Sequence, residues 1–131
     1  MTPLLCAAAL YLFPQHGPNA EHICADIHRA AQRAAVDPAL AVAVGYVETR
    51  WTDSTNKTSG CRGPMQVNRR YWGADGQTDT ERGVLALAVL VEKYGVEAGL
   101  CRYAIGNDAP RRCGYARRVM KATRRLKWAS G

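Results

Sequence analysis

Glu48 is the residue of this sequence best placed to do chemistry. It stands one turn after Val44 and two turns after Ala41, on a stripe that also takes in Leu40 and Val47, so a carboxylate closes an apolar helical face. Beside Val44, Val47 and Trp51 a carboxyl loses solvation, which favours its neutral form and raises its pKa toward the range where it can donate a proton near neutral pH. That is the requirement for protonating a glycosidic oxygen. The plainer reading of the same spacing is the polar edge of an amphipathic helix near its C-terminus, because buried acids are rare. Asp53 is the nearby carboxylate that a two-acid mechanism would need.

The elements that must position Glu48 begin at Asp37-Pro38, a helix-start signal: the carboxylate accepts from free backbone N–H groups, and proline has no N–H to leave unpaired. A polar run from Thr52 to Ser59 follows the helix, then the segment Gly60-Cys61-Arg62-Gly63-Pro64-Met65-Gln66-Val67. Upstream, Ile23, Ile27, Ala30, Ala31 and Ala34 predict a helix from Glu21 that ends before Asp37, with Asp26, Arg29 and Arg33 outside. Downstream, Tyr71-Trp72-Gly73 and Gly76 mark a loop, and Thr78-Asp79-Thr80-Glu81 is a capping box. It opens a helix through Val84, Leu85, Leu87, Ala88, Val91 and Tyr94 that Gly95 stops. Being apolar nearly all round, that helix is expected to be the buried centre. A shorter helix is expected over Val96 to Ile105, and Pro110 is expected to start the last one. Nothing alternates with period two for long enough to make a strand, and there are no repeats. The fold class is all-α.

A chain of 131 residues is one domain's worth, with an ordinary apolar fraction of 47% and no segment with the length or purity of a transmembrane helix. Residues 1–19 read as an apolar N-terminal segment and linker, and residues 20–131 as the domain proper. The apolar start lacks a basic leader region and is interrupted by Pro14, so it reads as a short helix packed on the domain; a signal sequence or membrane-touching segment is the other reading. Net charge is +7, which favours an anionic partner without choosing among nucleic acid, acidic membrane and cell wall. Much of it sits on the last helix, from Arg111 through Arg117, Arg118, Lys121, Arg124 and Arg125 to Lys127. Such a run is a solvated face, a means of attraction to an anionic wall, or a nucleic-acid contact. The lack of a recognisable nucleic-acid motif argues against the last.

Cys6, Cys24, Cys61, Cys101 and Cys113 are many for so short a chain, and five is odd. As disulfides they would imply an oxidising destination. Cys101 with Cys113 is the favoured pair, because it closes the irregular stretch from Gly106 to Pro110, and Cys6 with Cys24 is the next, stapling the N-terminus to the following helix. Cys61 is then free or bridges to another chain. The alternative is five small buried hydrophobes in a reduced protein. His22, Cys24 and His28 match no zinc spacing, and no metal or organic cofactor is implied.

Glu48-Thr49-Arg50-Trp51, the polar loop and Gly63-Pro64-Met65-Gln66 together resemble the signature of the lytic transglycosylase branch of the lysozyme superfamily, the goose-type lysozyme-like enzymes. The interval from Glu48 to Gln66 agrees with that family's. Arg102-Tyr103-Ala104-Ile105-Gly106 is similar to its Ala-Tyr-Asn-Ala-Gly, and Tyr115-Ala116-Arg117-Arg118-Val119 to its Tyr-Val-x-x-Val. The motifs run in order from Ala20 to Met120. Thr49 stands where Ser is usual, Lys57 where the family often has Ser, Pro64 for Leu and Ala104 for Asn, changes that bear on substrate positioning more than on the acid.

The resemblance implies a lysozyme-like single domain with a buried central helix, acting on peptidoglycan glycan strands. Glu48 would be the catalytic acid. Ser59, Gln66 and the backbone around Met65 would line the sugar cleft, Tyr103 would pack against substrate, and Tyr115 would hydrogen-bond near Glu48. It further implies a place in a phage virion or the bacterial periplasm and cell envelope, with virion or secretion-apparatus proteins as further partners. A goose-type muramidase and a non-catalytic wall-binding component are the alternatives.

Overall fold

Six helices make up the chain in a computed structural model that describes residues 2–131: α1 (Leu4–Leu12), α2 (Ala20–Arg33), α3 (Pro38–Thr49), α4 (Asp79–Tyr94), α5 (Val96–Ile105) and α6 (Gly114–Ser130). The fold is an all-α single domain; among the described residues the only β pairing is two isolated bridges, Thr55 with Arg62 and Arg62 with Val67. No described helix is long and apolar enough to cross a membrane.

α3 starts as its first two residues dictate. The Asp37 carboxylate accepts from Ala39 N–H at 3.0 Å and Pro38 occupies the first turn. Lys127 from the end of α6 pairs with the same Asp37 at 2.5 Å. Every residue from Ala39 to Gly45 is buried, because α2 and α6 both pack on α3 and its side chains are mostly small Ala and Val. Gly45 is required there: a Cβ would stand 2.7 Å from Ile27 Cδ1 of α2 and 3.2 Å from Trp51 Cδ1.

This corrects one expectation. The buried central helix is α3, whereas α4 packs Val84, Ala86 and Leu87 inward and leaves Leu85 and Val89 37% and 42% exposed. Its apolar residues outnumber the surface its neighbours α5 and α2 cover. The ends of α4 follow the sequence closely: Thr78 Oγ1 accepts from Glu81 N–H at 3.1 Å, the Glu81 carboxylate accepts from Thr78 N–H at 2.9 Å, and Gly95 closes it at φ 86°.

The two pairings favoured from sequence are both formed, Cys6–Cys24 with Cα atoms 5.8 Å apart and Cys101–Cys113 with 5.9 Å. The first ties α1, a nine-residue helix too short to persist alone, onto α2, while Leu5, Ala9 and Phe13 bury against the core. Bridges closing loops of 18 and 12 residues each stabilise a fold by about 3 kcal/mol through the unfolded chain. The second bridge also moves the start of α6. Cys113 must be extended, at φ −157° and ψ 161°, to reach Cys101, so the helix begins at Gly114 and not at Pro110. Cys24 is bonded to Cys6, which takes its sulfur out of the His22, Cys24 and His28 grouping, and His22 lies 3.3 Å from Asp26.

Candidate active site

Glu48 lies in the last turn of α3, half-buried, and Tyr115 from the first turn of α6 donates a hydrogen bond to its Oε2 at 2.8 Å. Burial raises the Glu48 pKa above the ordinary carboxylate value, and the Tyr115 hydrogen bond works against that rise without cancelling it. Tyr115 itself is pushed well above the usual tyrosine range, by burial first and then by the neighbouring Glu48 charge, so its hydroxyl keeps its proton and remains a donor. Trp51 is not the group that desolvates the acid. Arg50 and Trp51 are both left-handed, at φ 55° and 56°, which turns the indole back into the core. There it packs on Tyr46 and Phe13 and donates from Nε1 to Val42 O at 3.0 Å.

The loop after α3 is fastened to three helices. Thr49 Oγ1 donates to Pro64 O at 2.8 Å and accepts from Thr52 N–H at 3.1 Å, so the hydroxyl kept at this position joins the end of the acid-bearing helix to the loop. Tyr103 of α5 donates to Met65 O at 2.6 Å. Met65 is fully buried, its Cβ close enough to Gly83 of α4 that a Cβ there would approach to 2.8 Å. Its side chain therefore belongs to the core, which leaves only its backbone for the cleft role expected from the resemblance. Gln66, left-handed at φ 52°, turns its amide inward and donates to Ser54 O and Gly63 O, each at 3.0 Å.

A cleft of about 580 Å³ runs between this loop and α5, lined by Gln66, Tyr103, Ala104, Tyr71, Trp72 and Arg102 among others. The free thiol Cys61 also lines it. Glu48 is not among the residues that line the cleft; Tyr103, which is, has its pKa raised well above the usual tyrosine value by burial first and then by the Glu48 charge. Ser59 is not brought there: it is exposed on the loop, its Oγ accepting from Cys61 N–H at 3.2 Å. The loop shape explains this, because Asn56 Oδ1 accepts from both Thr58 N–H and Ser59 N–H and curls the turn outward. Asp53 is exposed and takes part in no hydrogen bond or ion pair among the described residues. A second, more apolar cavity of about 540 Å³ includes Leu40 near the start of α3, roughly 12 Å along the helix from Glu48. It shares no residue with the acid site.

Comparison with protein-family models, curated proteins and solved structures finds no match to this chain. The site therefore stands on its own geometry.

Sequence reasoning missed one residue that shapes the cleft. Arg82 is buried in the first turns of α4, and its guanidinium donates to Trp72 O at 2.8 Å, Ala74 O at 2.6 Å and Gln77 O at 3.3 Å. It holds the loop that presents Tyr71 and Trp72. The signal was present, since Arg82 precedes Ala86 by one turn and so falls on the inward stripe.

Proposed function

We propose that this protein is a peptidoglycan lytic transglycosylase that cleaves the β-1,4 bond between N-acetylmuramic acid and N-acetylglucosamine. The observation that carries the reading is the half-buried Glu48, with its pKa raised and its carboxylate held by the Tyr115 hydroxyl. Glu48 protonates the leaving oxygen as general acid. The resulting carboxylate then takes the proton of the muramic acid 6-hydroxyl, whose oxygen attacks the anomeric carbon and closes a 1,6-anhydro ring. The substrate supplies the nucleophile, so one carboxylate suffices. The exposed, unengaged Asp53 favours this over a goose-type hydrolase, which needs a positioned base for water. Two disulfides suit an oxidising site of action, a virion surface or the bacterial envelope, where local breaching of the wall would be the task.

Mass spectrometry of the products released from purified sacculi tests the reading. Muropeptides one water lighter than hydrolysis products are expected. Reducing-end muramic acid would make the protein a hydrolase, and absence of any product from folded protein that pellets with sacculi would make it a wall-binding component. Glu48→Gln is expected to abolish turnover while leaving helical content and melting nearly unchanged, because the amide oxygen still accepts from Tyr115. Turnover at the parental rate would remove Glu48 from the mechanism.

A further inference from the structure

We propose that the outer face of α6, together with the exposed face of α1, is a docking surface for an anionic lipid bilayer. α6 carries no acidic residue, and Arg117, Lys121, Arg124 and Arg125 fall on its solvent side, opposite the buried Ala116, Val119, Ala122 and Leu126. Among the described residues none of these four cations is in an ion pair; Lys127, by contrast, is held by Asp37. Trp128 continues the same outward ridge and is 90% exposed.

The second half of the surface is apolar. On α1, Leu5, Cys6 and Ala9 face inward, which leaves Leu4 and Tyr11, two turns apart on one side, 71% and 85% exposed. The seam between the two helices is closed by Arg125, whose guanidinium lies 4.7 Å over the ring of Phe13 at the end of α1. α1 packs on α6, and Tyr11 lies two residues before Phe13 and Trp128 three residues after Arg125 in the chain. A polyanion in water is served by the charges alone. Three large apolar side chains standing in solvent beside them are accounted for by a layer whose surface is anionic and whose interior is not, with the indole and phenol at its boundary. The docking is peripheral, and it does not rest on the glycan-cleaving reading.

The test is sedimentation of the full-length, oxidised protein with phosphatidylglycerol vesicles and with phosphatidylcholine vesicles, followed by tryptophan emission. Binding to the anionic vesicles alone is expected, weakened by salt, with a blue shift of emission. Trp51 is buried and Trp72 is half-buried in the cleft, so the Trp128→Phe variant identifies the source: the shift is expected to be lost in it and kept in Trp72→Phe. Arg117→Gln with Lys121→Gln is expected to weaken binding by about tenfold to thirtyfold, each cation being worth roughly 1 kcal/mol at an anionic surface. Unaltered circular dichroism shows that the variants are folded. Failure of the parent to sediment with anionic vesicles at low salt would overturn the proposal. So would binding that the double variant leaves unchanged, or binding to heparin or duplex DNA with no emission shift on vesicles.

Discussion

Tyr115 gives Glu48 a donor that stays protonated across the working range of the protein, and the hydrogen bond favours the ionised carboxylate. Burial acts in the other direction and prevails. If Glu48 works as an acid, turnover falls as pH rises through its raised pKa, because only the protonated form can donate. Tyr115→Phe removes the group that lowers the pKa, so the alkaline limb of the pH–rate profile is expected to move to higher pH. Turnover on the acidic plateau is expected to fall about tenfold or more, as the carboxyl loses its fixed rotamer. A profile whose alkaline limb stays in place would detach Tyr115 from the proton transfer. That Glu48 is partly buried was legible in the sequence from its place at the end of an apolar stripe. Its partner was not legible from spacing: the pair is 67 positions apart, and only the resemblance of the motif around Tyr115 pointed to it. Ser59 illustrates the opposite case, a residue in the expected register that an Asx turn carries away from the cleft.

The helices were mostly written in their own ends. Asp37-Pro38, the Thr78–Glu81 box and Gly95 are local signals, each satisfied within a few residues, and α3, α4 and α5 begin or stop at them. α6 departs from its sequence signal because a bridge to α5 overrides Pro110, and the centre of the fold departs because burial depends on what covers a helix as well as on its own apolarity. Arg82 shows what a single helical position does for a loop. Its guanidinium is the shared partner of three carbonyls between Trp72 and Gln77, so Arg82→Leu leaves three part-buried acceptors without their charged donor. A loss of roughly 2–3 kcal/mol is expected, the range for hydrogen bonds to a charged group, read as a lower melting temperature. Protease sensitivity in the 70–78 segment is expected to rise with it. Melting unchanged within error would show that water takes over the role of the guanidinium.

Across the whole molecule, the acid and the groups that hold its surroundings come from distant parts of the chain. Glu48 sits on α3, Tyr103 on α5 and Tyr115 on α6, so the site exists only once α6 is packed on α3. The bridge between Cys101 and Cys113 gives that arrangement a tolerance to cleavage. It spans a stretch in which Arg111 and Arg112 are exposed, and a protease that cuts there opens the backbone without separating the pieces. Limited trypsin treatment is expected to yield a nicked protein that runs as one species and keeps its turnover until a reductant is added. It then divides into a long fragment that bears the acid and a short basic one that bears Tyr115. A nick that ends activity while the bridge is intact would show that chain continuity, and not the packing of α6 on α3, keeps the tyrosine at the carboxylate. The bond makes an exposed arginine pair a survivable place to be cut.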